Sequence, residues 1–167
     1  MTPFTERSVA RFLKITGRQT METVENEGIF PIDVKNHSVP RVLIVDDEPL
    51  IRWSVSETLA DHGCEVVETG DAHGARSAVG DEQPFDVVLL DYRLPDSDDL
   101  SLLASIRRAT PTAQVILMTA FSCPEMVRSA LKLGAYRVIS KPFEMQAIAD
   151  LVAQAHAAGS NGTTSSG

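Results

Sequence analysis

Three acids in a row, Asp46, Asp47 and Glu48, stand immediately after the apolar run "VLIV" at residues 42–45. Carboxylates packed that closely repel one another unless a positive charge sits among them. A hard cation with oxygen ligands meets the need, and Mg²⁺, which keeps several waters and takes only a few carboxylates, suits the composition. A further acid, Asp91, ends the run "VVLL"; with one oxygen on the metal it has a second free to attack. A carboxylate is a weak nucleophile, yet aspartyl phosphates form when metal and lysine neutralise the phosphoryl charge. Lys141 offers that counter-charge, and the Thr119 hydroxyl can donate to a phosphoryl oxygen. Taken singly, each is an ordinary polar residue closing a strand. The set carries chemistry only if one edge of a fold collects it.

The elements that would do so are legible as a regular alternation. Five short apolar runs, "VLIV", "EVVE", "DVVLL", "QVILM" and "YRVI", are separated by helical stretches, as in a parallel sheet with helices on both faces. Ile51, Val55, Thr58 and Leu59 fall at helical spacing in residues 50–62, ended by Gly63. Leu102, Leu103 and Ile106 do the same in 98–108. A helix over 124–133 has Ser122 as its expected N-cap, Pro124 in its first turn and Gly134 at its close. The last helix follows Pro142 through Met145, Ile148, Leu151 and Val152. The expected fold is a doubly wound α/β domain with a five-stranded parallel sheet and five flanking helices. Its ligand site lies at the carboxyl ends of the central strands, where the polar set falls.

Charge and composition narrow the partners. The chain of 167 residues is 43% hydrophobic with a net charge of −8, enough for one core plus loose ends. Residues 1–39 are balanced, with five Lys/Arg against five Asp/Glu; residues 40–167 carry ten against eighteen. A surface of that sign repels phosphate backbones and anionic lipid, so neither nucleic acid nor membrane is expected as a direct partner. Cys64 and Cys123 lack metal or redox spacing and read as two reduced thiols. No signal peptide or spanning run is evident, and the expected location is cytoplasmic. Residues 1–39 form an N-terminal extension, read as a disordered lead-in, a short helix through Val9, Phe12, Leu13 and Thr16, or the result of a start placed upstream of Met21. Residues 40–156 form the domain, and 157–167, ending "GSNGTTSSG", a flexible tail.

The phrases "VLIVDDEP", "VVLLDYRLPDSD", "VILMTA" and "VISKPF", in that order and spacing, resemble the receiver domain of bacterial two-component response regulators. "DDEPLIRWS" and "TAFSCPEMVRSALKLGAYRVISKPF" are most similar to receivers of the nitrogen-regulator class. The resemblance spans residues 40–155 and implies a flavodoxin-like strand order, 2-1-3-4-5. It implies Asp91 as phosphoacceptor, Asp46 and Asp47 as the acidic pair that binds Mg²⁺, and the Arg93 backbone carbonyl as a further metal ligand. It also implies Thr119 as the hydroxyl that follows the phosphoryl group, Ala120 as the small residue beside it, and Lys141 as its ionic partner, aimed by the bond to Pro142. Two positions depart from the pattern. Val138 stands where many receivers have an aromatic that rotates inward, with Tyr136 two residues earlier, and Asp99 stands where the turn often has Gly.

The resemblance further implies a sensor histidine kinase or a histidine phosphotransfer protein as donor. Full-length members of the nitrogen-regulator class carry an ATPase and a DNA-binding domain after the receiver, but only about a dozen residues follow the last expected helix here, so no output domain is expected in this chain and the downstream target is expected to be another protein. Enzymatic activity is expected only toward its own phosphorylation and dephosphorylation. Whether the role is allosteric regulation, phosphotransfer or a phosphate sink stays open. Trp53, off the Ile51/Val55/Leu59 stripe, is either peripheral packing or an anchor on the docking helix. Arg93 and Phe121 either tune loss of the phosphoryl group or simply line the loop, and the four histidines read as solvated. The alternatives are a receiver fragment of a longer transcription regulator, a flavin-binding electron carrier of the same fold, and an aspartyl-phosphate hydrolase of the haloacid-dehalogenase type. The carrier would need a hydroxyl- and Gly-rich loop where "DDEP" stands; the hydrolase would need D-x-D after the first strand.

Overall fold

A computed structural model describes residues 39–80 and 83–161. The strands are β1 (Arg41–Val45), β2 (Glu65–Thr69), β3 (Val87–Asp91), β4 (Gln114–Thr119) and β5 (Ala135–Ser140). Between and after them run the helices α1 (Pro49–Asp61), α2 (Ala72–Ala78), α3 (Ser101–Ala109), α4 (Pro124–Lys132) and α5 (Met145–Asn161). All strand pairs are parallel, in the order β2-β1-β3-β4-β5. The expected architecture and order are both present. The alternating side chains of the three central strands make two cores. Val42, Ile44, Val87, Leu89, Ile116 and Met118 pack under α1 and α5. Leu43, Val45, Val88, Leu90, Val115 and Leu117 pack under α2, α3 and α4. Burial on both faces is why these strands read as unbroken apolar runs.

The helix ends follow local chemistry. Gly63 and Gly134, at φ 83° and 95°, end the turns that close α1 and α4 in a backbone region most side chains avoid. Ser122 does not cap α4: Cys123 occupies that position without a side-chain cap, and Ser122 Oγ lies 3.1 Å from Ser140 Oγ. Asp99 does not use positive φ, which no non-glycine among the described residues adopts; its carboxylate accepts from Ser101 N at 2.8 Å, opening α3 instead. The preceding turn is closed by Leu94 and Ser97, each bonded to the other's backbone, with Pro95 and Asp96 at its corner. From that corner the Asp96 carboxylate accepts from Ala72 N and His73 N, at 2.8 and 3.0 Å, and joins Asp71 in capping α2.

α5 continues to Asn161, past the expected domain boundary at 156. Gly159 lies against Gln114 and Thr112, and Ser160 Oγ donates to His156 O. The expectations for residues 1–38, including the short helix, and for 162–167 lie outside the described residues. β5 carries one irregularity: the register passes from Val115↔Ala135 to Ile116↔Arg137, so Tyr136 is an extra residue. No helix among the described residues is long and apolar enough to cross a membrane.

Candidate functional site

Parallel pairing continues one residue past the strands on the carboxyl edge and holds the functional residues there. Asp46 N donates to Thr69 O at 3.1 Å, Tyr92 N to Met118 O at 2.8 Å, and Lys141 N to Thr119 O at 2.8 Å. Asp46, Asp91 and Thr119 are all buried. One cleft of about 250 Å³ is lined by Asp47, Glu48, Asp91, Arg93, Ala120 and Lys141. The residues named from four separate strand ends therefore converge. The Lys141–Pro142 bond is cis.

Lys141 sits at the centre of the acids. Its ammonium lies 2.7 Å from Asp91 Oδ2, 2.8 Å from Asp46 Oδ2 and 3.0 Å from Glu48 Oε1, and its side chain is only 8% exposed. The contacts with Asp91 and Glu48 are hydrogen bonds; that with Asp46 Oδ2 is an ion pair outside hydrogen-bond geometry, leaving this buried oxygen without a hydrogen-bond partner. Asp46 Oδ1 accepts from Glu48 N at 2.9 Å. Burial pushes the Asp46 carboxyl above its ordinary range, against the opposite pull of Lys141 and the Glu48 N–H. Burial pulls the Lys141 ammonium down, but Asp46, Asp91 and Glu48 together hold it above its ordinary value. One ammonium shared among three carboxylates is less positive charge than the acids call for.

That deficit is the test of fit for a divalent cation. Asp46, Glu48 and Asp91 each offer an oxygen within 4.8 Å of the others, and oxygen donors at that spacing suit Mg²⁺. The residues fit. The cluster shares Asp46 and Asp91 with the expected ligands and adds Glu48, which reaches in to Lys141; Asp47, also expected as a ligand, lines the same cleft. Arg93 also lines the cleft, and Arg93 N donates to Asp91 Oδ1 at 3.3 Å. Its guanidinium lies 5.4 Å from the Phe121 ring centroid, a cation–π contact at the rim.

Thr119 points its hydroxyl at the backbone of the following loop. Oγ1 accepts from Phe121 N and donates to Phe121 O, each at 3.1 Å. Val138 packs in the α2/α3/α4 core, whereas Tyr136 packs on the α1/α5 side. The ring of β5 is thus on the opposite face of the sheet from Val138. Trp53 is exposed at 60%, and Leu50 one turn earlier at 79%. His62 and His73 are solvated as expected. His156 is half-buried, with Nδ1 3.8 Å from Asp86 Oδ1. Both cysteines are free thiols.

Residues 42–153 match the response regulator receiver domain family, and the chain belongs to it. It is 38% identical over 116 residues to the DNA-binding transcriptional regulator NtrC of Proteus hauseri, a match covering 68% of this chain and 24% of that protein. To the glycerol metabolism activator of Pseudomonas putida it is 32% identical over 116 residues, 68% of this chain and 52% of that one. The chain thus spans about a quarter to a half of these relatives. Among solved structures, a CheY-like receiver domain protein of Methanospirillum hungatei JF-1 aligns with a TM-score of 0.71 at 26% identity, covering 75% of this chain and 99% of the other. NtrX of Brucella abortus aligns with a TM-score of 0.69 at 31% identity, covering 75% and 29%. The family match and the nitrogen-regulator relatives agree with the resemblance in the motifs, and they do not favour the flavin-carrier alternative.

Proposed function

We propose that the domain accepts a phosphoryl group on Asp91 from a phosphohistidine of a partner protein and signals by a change in its surface. The observation that carries this reading is the position of Asp91: a carboxylate at the end of β3, one oxygen 2.7 Å from Lys141 Nζ, in a cleft walled by further acids. An Asp91 oxygen attacks phosphorus as the bond from phosphorus to the donor imidazole breaks, leaving an acyl phosphate and a neutral histidine once a proton is taken up. Mg²⁺ bound by Asp46, Glu48 and Asp91, with Asp47 and the Arg93 carbonyl beside it, would neutralise charge on the transferred group. Lys141 would follow that group, and Ala120 leaves room for it. The same residues serve dephosphorylation, and no other substrate is turned over.

The link from Thr119 to Phe121 favours the β4–α4 loop as the exit for the signal. Drawing the Thr119 hydroxyl toward a phosphoryl oxygen costs both of its bonds to the Phe121 backbone, so the loop is released as the site fills. With Val138 on β5 no aromatic swing is needed. Leu50 and Trp53, exposed on the first turns of α1 beside the acidic loop, support α1 as the face that docks the histidine-bearing partner.

Intact mass after incubation with a small-molecule phosphodonor tests the reading. One phosphoryl adduct is expected, dependent on Mg²⁺ and absent in Asp91→Asn. A folded wild type that takes up Mg²⁺ yet forms no adduct would sink it.

A further inference from the structure

The acidic loop is held by more than its own turn. The backbone N–H of Asp46 is bonded to β2 and its Oδ1 to Glu48 N. Its main-chain carbonyl accepts from Arg52 Nη1, on α1, at 2.5 Å. The same guanidinium lies 3.4 Å, through Nε, from Glu68 Oε2 on β2, and Arg52 N donates to Glu48 O at 3.0 Å. Arg52 is mostly buried, with its side chain 21% exposed. Of the polar groups of Asp46, Oδ2 alone lacks a hydrogen bond.

We propose that Arg52 is a positioning residue for the metal-binding loop, locking the Asp46 carbonyl so that Asp46 Oδ2 faces Lys141 and the acid cluster. The inference rests on the reading of that loop as the Mg²⁺ site. Three features fit the role. The planar guanidinium presents donors in two directions at once, so it can hold the carbonyl while anchored by Glu68, which an ammonium does poorly. Its ionic partner is Glu68 rather than any acid of the loop, so its charge offsets the local acid excess without displacing the cation. It also ties α1, β1 and β2 together where the chain turns from β1 into α1. Partners behind a metal ligand act on affinity by fixing its orientation, typically by about 10–100-fold.

The test is calorimetric titration of Mg²⁺ into the 167-residue chain, with amide hydrogen exchange at Glu48 measured in the metal-free protein. Arg52→Gln is expected to weaken Mg²⁺ binding by about tenfold or more and to speed exchange of the Glu48 amide, whose acceptor is Asp46 Oδ1. Arg52→Lys should recover part of both effects, and Glu68→Gln should show a smaller loss in the same direction. Glu65→Gln, which breaks the other ion pair of β2, should change neither. Should Arg52→Gln fail to fold, the Lys and Glu68 variants decide. Mg²⁺ affinity within about twofold of wild type, with unchanged Glu48 exchange, overturns the proposal. A wild type that binds no Mg²⁺ overturns the reading of the site, and with it the metal-directed role of Arg52; faster Glu48 exchange would then report loop anchoring alone.

Discussion

The two ends of the sheet carry charge in opposite ways. At the amino end of the strands, Arg41 pairs with Glu65 at 2.9 Å, donates to Gln83 O at 2.5 Å and lies 4.4 Å from the Phe85 ring centroid. Asp86 there accepts from Arg41 N at 2.8 Å and faces His156. Each carboxylate there has its own donor and lies open to water, over an Arg41 side chain that is itself mostly buried. At the carboxyl end three carboxylates share Lys141, two of them buried. Balanced charge at one end serves stability, whereas the unbalanced end trades stability for the capacity to take up a cation and a phosphoryl group. The same five strands thus carry a structural edge and a reactive one.

The largest test of this contrast removes the shared cation. Lys141→Gln should destabilise the metal-free protein by about 3–5 kcal/mol, since it strands buried carboxylates without their partner, and Mg²⁺ should restore much of the loss. Chemical denaturation in chelator and in Mg²⁺ measures both. Asp46→Asn should act with the opposite sign. Burial already disfavours ionised Asp46, so a neutral amide should raise the melting temperature of the metal-free protein while weakening Mg²⁺ uptake. A loss of stability in both variants would break the comparison.

At the other end, Arg41→Ala should cost about 1 kcal/mol, the scale of one partly exposed ion pair with its aromatic contact. It should leave phosphorylation of Asp91 unchanged. The smallest effect sharpens the contrast by pH. Hydrogen bonds from Ala72 N and His73 N hold the Asp96 carboxyl below its ordinary value of 3.8. Its stabilisation is therefore present above that value and lost as pH falls through the lower folded one. Asp96→Asn should lower the melting temperature near neutral pH, with the difference from wild type closing in strong acid.

The strand edges were legible because an apolar run followed by a polar residue marks both the strand and its end. Asp46, Asp91, Thr119 and Lys141 could be named that way, and the parallel fold brought them together. Which acid besides Asp46 turns toward Lys141 was not legible. Glu48, rather than Asp47, reaches Lys141, a choice made by the turn into α1 and by a residue far along the chain. Arg52 was missed because its acceptor is a main-chain carbonyl, which has no letter in a sequence. The available signal was an arginine inside the first turns of α1 with a glutamate late in β2. Asp96 read as part of a turn, since its partners lie on a helix more than twenty residues earlier. The last turn of α5 was hidden by its Gly and Ser content, which packing against Gln114 and Thr112 overrides.

The outer strands have a consequence for how copies of this domain meet. An open strand edge is a template on which a neighbour's strand can grow. Glu65 and Glu68 both project from β2, each tied to an arginine of its own domain, so an incoming strand would meet charged, already paired side chains instead of an apolar edge. On the opposite flank, the extra Tyr136 breaks the even repeat that an incoming strand would have to match. The glutamate that anchors Arg52 thereby also discourages the sheet from recruiting a sixth strand and growing into a fibre.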